Sequence, residues 1–130
     1  MARGLNKVMV IGKLPRDPEM RFTPTAKSVS SFCVGYDRTR RDSENRAHSE
    51  TDWFNVVAWG NLAEFSKQSL HKGDLVYVEG RLKTRTWQDS EGKLQKSIEI
   101  IAREILMLSD KNNKNNEEDF DFDNEGHDHY

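Results

Sequence analysis

The hydrophobic pattern of the chain predicts mostly β-structure. Five runs rich in β-branched, aromatic and leucine side chains, several of them alternating with polar residues, predict strands at residues 5–14, 28–36, 52–60, 74–88 and 94–108. Pro15 and Pro18 end the first run, because proline cannot donate a hydrogen bond to a strand ladder. Gly80 interrupts the fourth run, where a glycine permits a strong bend.

One helix is predicted between the third and fourth strands, over residues 61–72. Asn61 is a suitable N-cap with Glu64 three positions later, and Gly73 suits a left-handed helix end. The polar stretch 37–51 predicts a long surface loop. This order of elements is typical of an all-β, five-stranded OB-fold barrel with one helix between strands three and four.

Charge divides the chain into two regions. Residues 1–108 carry 18 Lys and Arg against 14 Asp and Glu, a net charge of +4, whereas residues 109–130 carry 2 against 8, a net charge of −6. The second region has too little apolar content to fold alone. We therefore expect a folded domain over 1–108, which meets a polyanion, and a disordered acidic tail over 109–130.

Several classes of function are disfavoured by what the sequence lacks. The absence of a long apolar run argues against a membrane span, and the N-terminus has no signal-like apolar core, so we expect a cytoplasmic protein. The single cysteine, Cys33, excludes an internal disulfide and is predicted to be an inert core thiol. Phosphate-loop and nucleophile-elbow motifs are missing, so we expect no enzyme activity, no cofactor and no metal.

Aromatic and basic residues interleave on the predicted strands, which favours binding of unpaired nucleic-acid bases. Trp53 and Trp59 lie six residues apart and share one face of the third strand, although burial in the core is an equally good interpretation of both. Trp87 follows Lys83 and Arg85 at alternate positions, so all three side chains point to one side of the fourth strand. A surface position is favoured for Trp87.

Long blocks of the chain resemble the bacterial single-stranded DNA-binding protein family. They read RGLNKVMVIGKL, RDPEMRFT, TDWFNVVAWGNLAEF, LHKGDLVYVEGRLKTRTW and DSEG, in order, between residue 2 and about residue 108. The resemblance implies an OB domain, a homotetramer, sequence-independent wrapping of single-stranded DNA, and a disordered tail that recruits replication and repair proteins. It also implies a nucleoid-associated location in the cytoplasm.

The resemblance assigns roles to individual residues. Trp53 and Trp87 match the family's two principal stacking tryptophans, and Trp59 stands where the family has a stacking Phe. Arg40 replaces a third stacking Trp, and its guanidinium is able to stack and to pair with phosphate. Matches to basic positions, together with the cations beside the tryptophans, give the predicted phosphate contacts Arg3, Lys7, Arg41, Lys72, Lys83 and Arg85.

Two further positions depart from the family pattern. Phe54 stands where some members have His at a subunit contact. The chain ends in GHDHY, where the family ends in Ile-Pro-Phe or a similar tip, so the predicted partner-binding segment is Phe120, Asp121, Phe122 and Asp123. Two alternatives remain: a primosomal OB-fold replication protein, and a hydrolase or nuclease on an OB barrel, which needs clustered carboxylates or a metal site.

Overall fold

The computed structural model describes residues 3–109. Within them the chain forms six strands and one helix. In chain order these are β1 (Val8–Lys13), β2 (Glu19–Phe22), β3 (Ser28–Arg41), β4 (Ala47–Trp59), α1 (Asn61–Ser69), β5 (Leu75–Gln88) and β6 (Leu94–Met107). The boundary predicted after residue 108 remains a prediction, and the predicted partner-binding segment at Phe120, Asp121, Phe122 and Asp123 lies outside the described residues.

The strands form one sheet in the order β1-β5-β6-β4-β3-β2, and an additional β1–β3 pairing joins the two sides into a closed barrel. β4 and β6 run parallel where they meet, whereas the other pairs are antiparallel. The predicted all-β OB barrel with its single helix is confirmed. β2 is an addition: its four mostly exposed residues pair only with β3, at the edge of the sheet, and carry no alternating apolar pattern.

The hydrophobic core lies inside the barrel. Its side chains are at most 8% exposed and comprise Val10, Leu14, Phe32, Val34, Val56, Ala58, Leu70, Val76, Val78, Ile100 and Ile105. Phe54, Leu62 and Phe65 pack against this cluster while remaining partly exposed. Because every second residue of the central strands enters the core, the intervening residues face outward.

The bend predicted at Gly80 is confirmed. The register of β5 against β6 shifts between Glu79 and Gly80, as in a β-bulge. A Cβ atom at Gly80 would overlap the carbonyl oxygen of Ile101, so only glycine allows the two strands to approach this closely. Beyond this point β5 and β6 continue as a hairpin whose β5 residues are all exposed.

The predicted surface loop over residues 37–51 is wrong. β3 extends to Arg41 and β4 begins at Ala47, and the two strands pair throughout as a β-ribbon. Asp42 closes the turn, since its Oδ1 accepts the backbone N–H groups of Glu44 and Arg46 at 2.9 Å each. The ribbon extends past the core, so its residues are mostly polar and charged and resemble a loop in sequence.

The helix begins at Asn61 as predicted, but the predicted C-terminal end and the predicted N-cap residue are wrong. α1 ends at Ser69, three residues early, because Leu70 adopts an extended conformation that buries its side chain to 1% exposure. Gly60 is the N-cap, with φ of 62°, and Asn61 makes no capping hydrogen bond through its side chain. Gly73 lies in the turn that follows, with φ of 92°.

Candidate nucleic-acid interface

Two of the predicted stacking residues stand on the outer face of β4. Trp53 is 59% exposed and Trp59 is 46% exposed, whereas Val56 and Ala58, on the opposite face, are at most 1% exposed. The alternation of burial along β4 therefore excludes the alternative that the two tryptophans belong to the core of this chain. Their indole rings are therefore accessible from solvent to a planar group such as an unpaired base.

Trp53 is positioned by the residue opposite it on β3. Gly35 pairs with Trp53, and a Cβ atom at Gly35 would lie 2.7 Å from Cζ3 of the indole ring. The ring therefore occupies the space that a side chain at Gly35 would fill. This packing gives Trp53 a defined orientation although more than half of its surface is exposed.

Trp87 lies on β5, and the guanidinium group of Arg85 lies over its ring. The guanidinium carbon of Arg85 is 4.4 Å from the Trp87 ring centroid, a cation–π contact. Nε of Arg85 also donates a hydrogen bond to Oε2 of Glu99 at 3.2 Å. The contact agrees with the prediction that Arg85 and Trp87 point to the same side of the strand. Trp87 is 38% exposed.

A row of paired residues crosses four strands, from β3 and β4, where Trp53 lies, to β5, where Trp87 lies. Cys33 on β3 pairs with Asn55 on β4, Asn55 pairs with Glu99 on β6, and Glu99 pairs with Lys83 on β5. With neighbouring strands about 4.8 Å apart, the row spans about 14 Å. Trp53 lies beside this row on β4, two residues from Asn55 along one face.

An open cleft of about 280 Å³ lies along this row. Its lining is predominantly polar and comprises Arg16, Asp17, Glu19, Ser31, Phe32, Cys33, Asn55, Val56, Val57, Arg85, Ser97 and Glu99. Arg85, whose guanidinium lies over the Trp87 ring, forms part of the cleft wall, and so does Asn55, two residues from Trp53 on β4. The cleft is therefore lined by one neighbour of Trp53 and one neighbour of Trp87.

Cys33 lies on this outer surface, so its prediction as a core thiol is wrong. Its neighbours Phe32 and Val34 are buried, and strand alternation turns Cys33 the other way. Its thiol donates a hydrogen bond to Oδ1 of Asn55 at 3.3 Å, and Arg16 approaches the sulfur at 3.6 Å. The apolar character of the strand hid this orientation in the sequence.

Four of the predicted phosphate contacts make no ion pair within residues 3–109: Arg3, Arg41, Lys72 and Lys83. All four are exposed. Arg41 donates a hydrogen bond to the carbonyl of Asn45 at 3.0 Å, and the backbone N–H of Lys72 donates to Oδ1 of Asp17 at 2.7 Å. Their side-chain charges are therefore available to an anion, and their contacts with phosphate stay a prediction.

Arg40 is held by cross-strand ion pairs on the β3–β4 ribbon. Its guanidinium pairs with Glu50, which also binds Arg38 at 3.0 Å, and Arg38 binds Asp52 at 3.0 Å. The hydrogen bond from Arg40 lowers the pKa of Glu50, and the bond to Asp52 raises the pKa of Arg38. By register, Arg40 and Trp53 belong to opposite faces of the ribbon. Stacking by Arg40 stays a prediction.

Lys7 belongs to a different cluster, centred on Glu79 of β5. Oε2 of Glu79 lies 3.7 Å from Nζ of Lys7 and accepts a hydrogen bond from Arg103 at 2.9 Å. Oε1 accepts a hydrogen bond from the hydroxyl group of Tyr77 at 2.8 Å. The Arg103 bond is the main reason that the pKa of Glu79 is lowered. Contact of Lys7 with phosphate stays a prediction, and Lys7 shares the single charge of Glu79 with Arg103.

The cleft residues Arg16, Ser97 and Glu99 were not predicted as part of the interface. Arg16 comes from the turn after β1 and Glu99 from β6, and only the closed barrel places them together. In the described part of the chain no group of His, Cys, Asp and Glu side chains has the geometry to hold a metal ion. Nor does that part contain a helix of the length and apolarity needed to cross a membrane.

The sequence of the chain is similar to a known family and to named proteins. The sequence profile of the family described as "Single-strand binding protein family" matches residues 5–108. Single-stranded DNA-binding protein 1 of Chlorobaculum tepidum is 45% identical over 112 residues, which is 85% of this chain and 69% of that protein. The single-stranded DNA-binding protein of Neisseria meningitidis serogroup A is 40% identical over 108 residues, 83% of this chain and 62% of that protein.

A solved structure is similar as well. It is described as "Plasmodium falciparum SSB complex with ssDNA" and matches with a TM-score of 0.76 at 29% identity. The match covers 84% of this chain and 99% of that one. The chain therefore shares its fold with a protein solved in a complex with single-stranded DNA, and it spans about two thirds of the length of the two bacterial relatives.

Proposed function

The chain belongs to the single-strand binding protein family, and from that premise we propose that it binds single-stranded DNA without sequence preference and protects it during replication, recombination and repair. The observation that carries the proposal is the exposure of Trp53, Trp59 and Trp87, together with a polar cleft lined by Asn55 and Arg85, neighbours of Trp53 and Trp87 on their strands. The proposal is of a binding protein and not of an enzyme, in keeping with the names of its relatives.

The chemistry of this surface suits unpaired bases. Base–aromatic stacking contributes about 1–3 kcal/mol per base and tolerates any sequence, because every base has a π-face. Cations near the rings, such as Lys83, neutralise phosphate and release counterions. In a duplex the base faces are already stacked on each other, so the same surface discriminates against paired DNA.

We also propose that the protein is a homotetramer. On the outer side of the barrel, away from the core, Met9 is 61% exposed, Ile11 is 40% exposed and Leu106 is 48% exposed. Ile11 pairs with Tyr77, which pairs with Leu106, so these side chains are neighbours on adjacent strands. A second copy burying this patch suits a small domain with closed symmetry. Sedimentation at micromolar concentration should show about 60 kDa, four times the 15.1 kDa chain, and a single 15.1 kDa species contradicts the assembly.

For the acidic tail we propose docking of replication and repair proteins through Phe120, Asp121, Phe122 and Asp123. Support comes from the sequence. The acidic residues of this segment repel phosphate, and the two aromatic residues among them suit a basic, apolar pocket on a partner. We further propose that the protein acts in the cytoplasm on the nucleoid. A pull-down with the peptide 115–130, compared with the same peptide carrying Ala at both Phe positions, tests the docking. Equal capture by the two peptides contradicts it.

The binding proposal is tested by titrating the protein with oligo-dT while following tryptophan fluorescence. Stacking on exposed indoles should quench the emission strongly, and an equal length of duplex should not. Fluorescence anisotropy of a labelled oligonucleotide gives the dissociation constant independently. If neither signal responds to single strands at micromolar protein in low salt, the proposed function is wrong.

A further inference from the structure

An acidic side chain stands in the middle of the proposed DNA surface. Glu99 lies in the row that joins β4 to β5, between Asn55 and Lys83, and lines the cleft. Its side chain is only 15% exposed. A carboxylate repels phosphate, so its place at the centre of a surface for a polyanion requires a physical explanation.

The partner of Glu99 supplies that explanation. Oε2 of Glu99 accepts the Nε–H of Arg85 at 3.2 Å, and the guanidinium of Arg85 lies 4.4 Å from the Trp87 ring centroid. A largely buried carboxylate is costly unless it is paired, and the guanidinium meets that need. In the free protein, Arg85 is therefore neutralised inside the protein before any phosphate arrives.

We propose that Glu99 is the internal counterion of Arg85, occupying the place that a DNA phosphate takes, so that binding has to displace it. The inference rests on the proposed function, since it concerns the same surface. Glu99 thereby limits the affinity for DNA and removes Arg85 from the salt dependence of binding.

The other charged groups of the cleft do not take over this role. Oδ1 of Asp17 accepts the backbone N–H of Lys72, and the guanidinium of Arg16 lies at the Cys33 sulfur. Glu19 also lines the cleft, yet it forms no ion pair with Arg85. Within the described residues, Glu99 is the carboxylate that matches Arg85.

The expected change in the salt dependence of DNA binding follows from counterion release. On a single strand each phosphate neutralised by a protein cation adds about 0.7 to the slope of log K against log salt. In the unmodified protein, phosphate binding to Arg85 frees one cation from DNA while the displaced Glu99 takes one up, so the net contribution is close to zero. Removing the charge of Glu99 should restore the full increment.

The experiment measures oligo-dT affinity between 0.05 and 0.5 M salt, about tenfold in range, for five proteins. These are the unmodified chain, Glu99→Gln, Arg85→Gln, the double variant, and Glu64→Gln. Glu64 is the matched control, because it is exposed on α1, which contributes no side chain to the cleft, and its change alters net charge equally. Thermal unfolding of each variant verifies that it is folded.

We expect Glu99→Gln to steepen the slope by about 0.7 and, with affinities meeting near 1 M salt, to bind about fivefold tighter at 0.1 M. Arg85→Gln should flatten the slope by about 0.7 in the Glu99→Gln background and hardly at all in the native one. This double-mutant comparison cancels the loss of the Arg85–Trp87 contact, which is common to both backgrounds.

Two results overturn the proposal. The first is weaker binding by folded Glu99→Gln, which means that Glu99 positions Arg85 for DNA. The second is equal slope changes in Glu99→Gln and Glu64→Gln, which means that only net charge matters. Should Glu99→Gln fail to fold, Arg85→Gln and Lys83→Gln decide: the proposal requires a flatter slope for Lys83→Gln and an unchanged one for Arg85→Gln. Failure of the unmodified protein to bind overturns the proposed function instead.

Discussion

Replacing Gly35 by Ala separates the role of Trp53 in DNA binding from any role in folding. The new Cβ would lie 2.7 Å from Cζ3 and 3.1 Å from Cε3 of the Trp53 ring. Carbon atoms attract best at about 3.5–4.0 Å, so the ring has to move by about 0.8 Å or more. Trp53 is 59% exposed, and solvent leaves room for that displacement.

The effects on stability and on affinity should have opposite signs. Glycine in a strand interior is destabilising relative to alanine by about 0.5–1 kcal/mol, so Gly35→Ala should leave the free energy of unfolding unchanged or raise it. Stacking on Trp53 is expected to contribute about 1–3 kcal/mol. If the displaced ring keeps about half of this, the loss of about 1 kcal/mol weakens binding about fivefold.

The assay is oligo-dT affinity by anisotropy, with thermal unfolding in parallel, for Gly35→Ala, Trp53→Ala and the double variant. Gly35→Ala should cost little further in the Trp53→Ala background, because its two nearest contacts are ring atoms and the third, Cγ2 of Thr51 at 3.2 Å, needs a smaller displacement. Gly4→Ala is the matched control, since a Cβ there meets no atom within 4 Å. An equal loss of affinity with and without the Trp53 ring, or unfolding of Gly35→Ala, contradicts the prediction.

Four further changes probe other parts of the molecule. Trp59→Ala and Trp87→Ala should each weaken oligonucleotide binding by about 1–3 kcal/mol with little dependence on the base, and unfolding of either variant contradicts the surface assignment. Deleting residues 109–130, which carry a net charge of −6, should leave affinity equal or tighter by anisotropy; markedly weaker binding contradicts this. Hydrogen bonds from the Gln95 amide and, next, from the Lys93 backbone N–H lower the pKa of Asp89. The ionised carboxylate therefore stabilises the fold above about pH 4, and this stabilisation is lost as the pH falls through the lowered pKa. Asp89→Asn should therefore lower the melting temperature at pH 7 but hardly at pH 2.5, and an equal loss at both contradicts this.

Local alternation predicts that Trp53 and Trp59 share one face, and the structure shows that this face is the outer one. On β4 a two-residue period decides which side chains enter the core, and Trp53 and Trp59 share a parity that the apolar Val56 and Ala58 do not. The same rule places Cys33 on the outer face, because its neighbours Phe32 and Val34 are both buried. The prediction failed there because the composition of the strand, and not its parity, was given the greater weight.

The ribbon illustrates what composition conceals. Residues 37–51 carry few apolar side chains, so no hydrophobic period marks them as strands. Their pairing is supported by ion pairs between strands, as between Arg38 and Asp52 at 3.0 Å, and by the turn at Asp42. Such contacts depend on which residues lie opposite each other, and sequence spacing within one strand does not contain that information.

The cleft lay beyond sequence prediction for a topological reason. It forms where β4 runs parallel to β6, joining Asn55 to Glu99 across 44 positions of the chain. The intervening helix and strand determine the register of this contact, and neither strand shows it in its own pattern. Recognition of the OB fold predicted that such strands meet, whereas the identity of the side chains that meet came only from the structure.

Ion pairs within the protein lower the number of cations that we expect to neutralise DNA phosphates. Six were predicted to contact phosphate: Arg3, Lys7, Arg41, Lys72, Lys83 and Arg85. If each neutralised one phosphate, the slope of log K against log salt would be about 4 per protomer. The structure pairs Arg85 with Glu99, and a cation already matched by a carboxylate releases little on binding. Glu79 is shared by Lys7 and Arg103, so one positive charge remains there. With one of the six cations matched, we expect a slope of about 3.5 per protomer, measured on an oligonucleotide that occupies one protomer. A slope of 4 or more shows that the carboxylates leave the cations free, and that the charges counted in the sequence act independently.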